Sequence, residues 1–360
     1  MDKSVWCVMN IRMITLTGLL LLAASPSGAH VDSHLLTDPC GSCHVGHGVA
    51  DQPMLEKAEE HMCYQCHGST AERARMEAEG RLVPGSRLKD LRVEFNKIYS
   101  HPVERGSGHS PTERLPSFSG AKTSHAECVD CHNPHQRLTN HKTMDFAVQG
   151  YSLDGQIQER ALYEYNICLK CHTNAIGAKS NERDLVRDFS RSARSQHPVT
   201  SGASGRYLPS LIEPMPGGSR MNCSDCHRSE DPNSPRGPHG SQYEFMLSGN
   251  YDHDIYQDEN PFAYQFCYQC HDRFSILSNE SFPLHREHIE GDPLTGRRGT
   301  SCFTCHTAHG SPSNRALIEF NRQAVQPADG TGRLEFQSLS EGTGNCTLKC
   351  HNYNHAPGSY

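Results

Sequence analysis

The amino-acid sequence predicts a mostly irregular chain with short α-helices and little or no β-sheet. Hydrophobic residues make up 35% of the 360 positions and aromatic residues 7%, which is too little for a large conventional core. The 30 Gly and 21 Pro residues fill loop-like stretches such as 104–120 and 200–220. A short motif, Cys-x-x-Cys-His, recurs along the chain, which indicates repeated sites instead of one core.

The first 29 residues have the pattern of a secretory signal peptide. A basic start precedes an apolar run at 13–24, and the small residues Ser27 and Ala29 fit cleavage before His30. An uncleaved N-terminal anchor is the alternative. No second apolar segment of spanning length follows, so we expect an exported protein with no transmembrane segment in the mature chain, in the periplasm or at the extracellular cell surface.

Charge and cysteine usage exclude two protein classes. The formal net charge is −7 and no basic patch is present, which argues against a nucleic-acid partner. Of the 17 Cys, all but Cys7 lie inside the repeated motifs, so none is left for a disulfide framework.

The motif occurs seven times in its strict form and an eighth time with one extra residue. The paired cysteines are Cys40 and Cys43, Cys63 and Cys66, Cys128 and Cys131, Cys168 and Cys171, Cys223 and Cys226, Cys267 and Cys270, Cys302 and Cys305, and Cys346 and Cys350. The histidines that follow them are His44, His67, His132, His172, His227, His271, His306 and His351.

This spacing is typical of covalent haem attachment. Two thiols on one helical turn can add to the two vinyl groups of a haem, and the next residue, His, then donates an imidazole nitrogen to the iron. Zinc knuckles and thiol redox sites are the alternatives for a single Cys-x-x-Cys pair. Seven copies, each followed by His, favour haem, and large apolar cofactors would supply the missing core.

The eighth motif departs from this spacing. Cys346 and Cys350 are four positions apart instead of three, so the turn that carries them must bulge or tighten. We expect a haem here too, for a total of eight covalently attached haem c groups. The alternatives are a pair of thiols without haem and a disulfide between these two Cys.

Sixteen further His residues are candidates for the opposite face of each iron. His47, His135 and His309 each lie three residues after a motif His. That is too close to cap the same haem, but each can reach a neighbouring haem. After Cys223–His227 this place is held by Glu230. We predict that His239 takes the role that His47, His135 and His309 have after the other motifs.

A second context is His-Pro-Val, which contains His101 and His197, 27 and 26 residues before Cys128 and Cys223. The Pro keeps the preceding backbone extended, so the imidazole is presented from a stiff segment. We expect His34 to serve in the first repeat. In the last repeat the choice between His285 and His288 is open, and His288 is taken as the candidate.

These marks divide the chain into a signal peptide at 1–29 and four doubled units. Unit 1 covers 30–95, unit 2 covers 96–190, unit 3 covers 191–280 and unit 4 covers 281–360. Each unit contains an upstream His, a first motif, a His soon after it, and a second motif. Two longer helices are also predicted, one after a capping box at Ser69 and Glu72 and one over 181–196.

The doubled motifs resemble the doubled-CXXCH family of multihaem c-type cytochromes over essentially the whole chain after the signal. The resemblance implies a chain wrapped around closely packed bis-His haems that transfer electrons in the periplasm or outside the cell. Other cytochromes or extracellular electron acceptors would be its partners. Some relatives polymerise into extracellular filaments, which makes a homopolymer a further hypothesis.

The sequence favours a non-enzymatic electron conduit. The alternative is a multihaem oxidoreductase that reduces nitrogen or sulfur oxyanions at one open haem. His is in surplus, so every iron can be capped, and the last haem is where an open site would be sought. Haem storage without electron transfer is a third reading. The scattered Met residues are interpreted as packing residues, and no catalytic residue is assigned.

Overall fold

The computed structural model describes residues 40–46, 54–103, 126–135, 148–173, 184–292, 294–340, 343–350 and 353–360. The predicted signal peptide, His34, His47 and His351 lie outside these residues. Within the described part of the chain, no helix is long and apolar enough to cross a membrane.

The helices of the described residues are short, between four and nine residues. They are α1 Glu59–His67, α2 Thr70–Ala78, α3 Leu91–Phe95, α4 Cys128–Cys131, α5 Glu164–Cys168, α6 Leu185–Asp188, α7 Cys223–Cys226, α8 Arg273–Leu277, α9 His285–Ile289 and α10 Cys302–Cys305. Single turns of 3-10 helix cover Glu244–Met246 and Cys267–Gln269.

The capping box predicted at Ser69 is confirmed. The Ser69 hydroxyl accepts a hydrogen bond from the Glu72 backbone N–H at 3.2 Å, and the Glu72 carboxylate accepts one from the Ser69 backbone N–H at 2.7 Å. The second predicted helix is much shorter in the structure. It starts after Asp184, whose carboxylate caps the Val186 N–H, and it ends at Asp188 because the chain then turns to an extended strand before His197.

The strands are mostly two residues long and pair antiparallel. They are β1 Tyr99–Ser100 with β5 Gly240–Ser241, β2 Gly150–Tyr151 with β3 Ile157–Gln158, β4 Ser195–Gln196 with β8 Gly310–Ser311, and β6 Gly291–Asp292 with β7 Arg297–Arg298. A larger three-stranded antiparallel sheet contains β9 Glu335–Ser340, β10 Thr343–Cys350 and β11 Tyr353–Ser359, with β10 in the middle. This sheet was not expected from the sequence, since its strands lack a regular alternation of apolar and polar residues.

Among the described residues, apolar side chains pack in small clusters. One consists of Val148, Ala161 and Ile167, and another is built on Ala263, Tyr264 and Ile289. Clusters of this size bury little apolar surface and stabilise the chain weakly. They agree with the sequence composition, which requires other groups to provide most of the interior.

The pairs β1–β5 and β4–β8 repeat one contact between consecutive units. In both, a short helix followed by a two-residue strand packs against a Gly-Ser strand of the next unit. A Cβ atom at Gly240 would lie 1.9 Å from the Glu94 carbonyl oxygen, and one at Gly310 would lie 2.0 Å from the Asp188 carbonyl oxygen. Only glycine therefore allows the two backbones to approach this closely.

A buried ion-pair network holds the first of these contacts. The Lys97 ammonium group lies 2.8 Å from the Glu94 carboxylate and 3.1 Å from the Glu230 carboxylate. The side chains of Lys97 and Glu94 are 9% and 5% exposed, so solvent screens their interaction weakly. Glu230 thus links unit 3 to unit 2. It lies three residues after the first motif His of its unit, a place that His occupies in the other units.

Replacing Lys97 with Met is expected to destabilise the haem-loaded chain by about 3–5 kcal/mol, because it leaves the Glu94 carboxylate buried without a cation. The measurement is denaturant unfolding followed by circular dichroism. The matched control is Arg286→Met, which removes an exposed ion pair to Glu290 and should cost less than about 1 kcal/mol. Equal losses of unfolding free energy in the two variants would contradict the stabilising role of the buried Lys97 ion pairs.

Candidate haem sites

Six strict motifs close a helical turn that ends at the motif His. The backbone N–H of that His donates to the carbonyl oxygen of the first Cys over 2.8–3.0 Å at His44, His132, His172, His227, His271 and His306. In α4 and α7 the turn is reinforced by Asp130 and Asp225, whose carboxylates accept the N–H of the residue before the first Cys. Each turn therefore places two sulfurs and one imidazole on the same local scaffold.

Each of these six motif histidines faces one histidine from elsewhere in the chain. The ring centres are 6.0 Å apart for His44 and His135, 6.1 Å for His132 and His239, 6.3 Å for His172 and His101, 6.1 Å for His227 and His309, 6.4 Å for His271 and His197, and 6.3 Å for His306 and His285.

This spacing fits two imidazoles on opposite sides of one metal ion. With each nitrogen about 2 Å from the metal, as in histidine–metal bonds, the two nitrogens lie about 4 Å apart and the ring centres about 6 Å apart. Direct stacking of aromatic rings covers a wider range of distances, about 4.5–7 Å. Six values within 0.4 Å of one another fit axial coordination of haem iron better than incidental ring contact.

Backbone carbonyl groups orient several of these rings. The Nδ1 atoms of His101 and His197 each lie 2.6 Å from a carbonyl oxygen, that of Pro238 and that of Ala308. His227 and His306 make the same contact, at 2.7 Å and 2.9 Å. An Nδ1–H donor fixes the tautomer and leaves Nε2 with a lone pair, which is how proteins prepare histidine as a metal ligand.

Four of these rings are also held in the neutral form that a ligand requires. Burial, and then the neighbouring His101, lower the pKa of His172 to about 4. The pKa values of His239, His271 and His285 are also lowered to about 4. Burial is the larger cause, and the histidine ring that faces each of them is the second. At neutral pH these imidazoles are uncharged and can donate a lone pair to iron.

Cysteine contacts place consecutive motifs side by side. Hydrogen bonds join the thiols of Cys63 and Cys128, of Cys168 and Cys223, and of Cys267 and Cys302. Burial raises the pKa of the Cys66, Cys131, Cys226 and Cys305 thiols, and in each case a thiol of an adjacent motif adds to the rise. These thiols stand for thioether sulfurs, so their contacts indicate that neighbouring attachment points follow the order of the sequence.

The structure brings five of the eight predicted distal histidines opposite motif histidines: His101, His135, His197, His239 and His309. His239 occupies this position as expected from the insertion after Glu230. His306 faces His285, the alternative to His288 that the sequence left open. His288 instead lies toward His355, whose pKa is lowered first by burial and then by His288. His34 and His47 stay predictions outside the described residues.

The eighth motif lies on a strand instead of a helical turn. Cys346 and Cys350 both belong to β10, which pairs with β9 and β11 and has an irregular register between Cys346 and Leu348. The four-residue spacing accounts for the difference, because residues i and i+4 of a strand point to the same side of a sheet. Both thiols lie near Cys305, so this motif adjoins the seventh.

A half-buried carboxyl group connects the second and third motifs. The Glu59 carboxylate accepts a hydrogen bond from the Val129 N–H at 2.8 Å, which ties α1 to the motif helix of the next unit. Burial raises the pKa of Glu59 to about 7, although the Val129 N–H favours the charged form. Glu164 makes the corresponding contact to the Ser224 N–H at 2.6 Å.

The Glu59 carboxyl is expected to make the stability of this junction depend on pH. Because its folded pKa exceeds the unfolded value, folding takes up a proton between about pH 4.5 and pH 7, and stability falls as pH rises through that window. In Glu59→Gln the fall should be smaller than in the parent chain. Thermal unfolding between pH 5 and pH 8 measures the difference, with the exposed Glu56→Gln as the control.

Two family descriptions match the chain. Residues 153–318 match "Outer membrane cytochrome MtrC/MtrF-like, domains II/IV", and residues 34–72 match the doubled CXXCH motif. Among curated proteins and solved structures, no match was found. The first description covers units 2 to 4 in part, the second covers the doublet of unit 1, and both concern haem-binding chains. The protein therefore belongs to the multihaem c-type cytochromes, which bind haem c covalently at CXXCH motifs and act in electron transport.

Proposed function

We propose that this protein is an exported octahaem cytochrome that conducts electrons through bis-His haems along its length. The observation that carries the proposal is the set of six histidine pairs with ring centres 6.0–6.4 Å apart, one at each of six motifs. Haem c bound at such sites supplies one-electron redox chemistry. The chain itself provides paired imidazoles, attachment sulfurs, and attachment points in sequence order.

The order of sites supports conduction instead of storage. Thiol contacts connect the second attachment point to the third, the fourth to the fifth, and the sixth to the seventh. At the other junctions a thiol of one motif raises the pKa of a thiol in the adjacent motif, as neighbouring groups do. An electron carrier needs short gaps between neighbouring redox centres, and attachment points that neighbour one another in sequence order support such gaps. We infer that electrons enter and leave at the two ends of this series.

Paired histidines also favour a conduit over an enzyme. Catalysis at haem requires an iron with an open or exchangeable position. At six motifs the described chain supplies both axial imidazoles from its own residues, without a ligand from a second copy. The match to an outer membrane cytochrome description supports a place in the periplasm or at the cell surface, with other cytochromes or extracellular acceptors as partners.

Electron paramagnetic resonance of the oxidised, haem-loaded protein tests this function. We expect signals of low-spin iron at every site, no binding of carbon monoxide after reduction, and reduction spread over a range of potentials. A stoichiometric high-spin signal together with rapid carbon monoxide binding would support the oxidoreductase alternative instead. Electron microscopy at high protein concentration tests the filament hypothesis, since only monomers would argue against it.

A further inference from the structure

The histidine pairs follow a rule that becomes clear when they are sorted by unit. The first motif of unit 1 faces a histidine of unit 2, His44 with His135. The first motif of unit 2 faces a histidine of unit 3, His132 with His239. At unit 3 the partner again comes from the following unit.

That third case pairs His227 of unit 3 with His309 of unit 4. Second motifs behave differently. His172 faces His101 within unit 2, and His271 faces His197 within unit 3. First motifs therefore take their opposite ring from the next unit, whereas these second motifs take it from the His-Pro-Val segment of their own unit.

The short strand pairs explain how one contact serves two sites. β4 pairs with β8, the His197 N–H donates to the His309 carbonyl oxygen at 3.0 Å, and its Nδ1 contacts the Ala308 carbonyl oxygen. The two histidines are thus fixed to each other by backbone hydrogen bonds while their rings face different motifs. β1 and β5 pair directly beside His101 and His239, and the Nδ1 atom of His101 contacts the Pro238 carbonyl oxygen at 2.6 Å.

Unit 4 breaks the rule. Its first-motif histidine, His306, faces His285, which belongs to the same unit. The His285 ring is held by Ser281, whose hydroxyl lies 3.2 Å from Nδ1, and by Phe282, whose ring centre is 5.1 Å away. His306 is fixed by the Ala316 carbonyl oxygen at 2.9 Å.

We propose that the units are interlocked, in the sense that units 1 to 3 each take a haem-binding histidine from the following unit. We further propose that His285 ends this interlock. Units 1 to 3 each depend on the following unit for the second ligand of their first haem, and unit 4 supplies its own through His285. This inference rests on the proposed bis-His function. It goes further by assigning each of four first-motif sites a partner and by making His285 a ligand that closes the series.

The interlock has a consequence for assembly. The first-motif sites of units 1 to 3 would have both of their histidines in place only after the next unit has folded onto them. The site at His306 needs neither a later segment nor a neighbouring molecule. Ligand completion would therefore proceed from unit to unit and finish within unit 4.

Carbon monoxide titration of reduced, full-length, haem-loaded variants tests the proposal, because carbon monoxide binds only irons that lack one axial ligand. His285→Ala and His309→Ala should each bind about one equivalent, and the double variant about two. Added imidazole should restore low-spin spectra in each. His61→Ala, which removes an exposed His without a ring partner at this spacing among the described residues, is the control and should bind none.

A second variant locates the affected haems. In a Cys302→Ala, Cys305→Ala background, which removes the seventh haem, His309→Ala should still open one iron and His285→Ala should open none. The proposal is overturned if His285→Ala leaves all irons low-spin, or if the double variant binds a single equivalent. These outcomes are distinct from failure of the proposed function, which would already be evident as missing haems or open irons in the parent protein.

Discussion

Replacing both Cys128 and Cys131 with alanine is expected to produce a chain with one attached haem fewer and a markedly less stable fold. A haem is larger than any side chain, and even Phe or Trp to Ala in a core costs about 3–5 kcal/mol. The described apolar clusters are small, so little else can fill the space. We expect a loss of at least about 3 kcal/mol in unfolding free energy.

Intact-protein mass and denaturant unfolding measure the two effects. Val129→Ala is the matched control, because Val129 lies between the same two Cys, is 39% exposed and contacts Glu59 only through its backbone N–H in the described hydrogen bonds. The control should keep all its haems and most of its stability. If the double Cys variant were as stable as this control, haem would not be the interior of the protein.

Replacing His239 with alanine is expected to convert one haem from six- to five-coordinate. His239 is the ring that faces His132, and its other side packs edge-on against Phe95 with ring centres 5.5 Å apart. Loss of the ring should give a high-spin signal, about one equivalent of carbon monoxide binding, and a raised potential at that haem. Imidazole in solution should reverse the change.

Glu230→Ala is the comparison that separates ligation from packing. Glu230 lies three residues after its motif His, the place that His135 and His309 hold in other units, but it contacts Lys97 instead of a motif ring. Its removal should weaken the contact between units 2 and 3 and leave all irons low-spin. If Glu230→Ala gave the same spectra as His239→Ala, His239 would not be the axial ligand.

Local chemistry accounts for what the sequence alone could predict. Cys and His spacing identified the attachment motifs, and the positions of His135, His239, His309 and the two His-Pro-Val histidines drew attention to five of the six rings that face motif histidines. The capping box at Ser69 was equally local, and it is confirmed. Each of these signals is complete within a few residues of sequence.

The pairing of rings depends on contacts between distant segments, which no local pattern contains. His239 and His309 face motifs of the preceding unit because the β-pairs between consecutive units, and the Lys97–Glu230 ion pair, bring these units together. The closely related contexts of His285 and His288, three residues apart on α9, could be separated only by the fold. The C-terminal sheet was missed because its stability comes from pairing among three strands. The sequence of each strand alone lacks a regular alternation of apolar and polar residues.

The mass of the intact, exported protein tests the central claim most directly. The account predicts a polypeptide that begins after the signal peptide and carries eight covalently bound haem groups, one at each pair of cysteines. A bare polypeptide, or a mass with many fewer than seven attached haems, would contradict it.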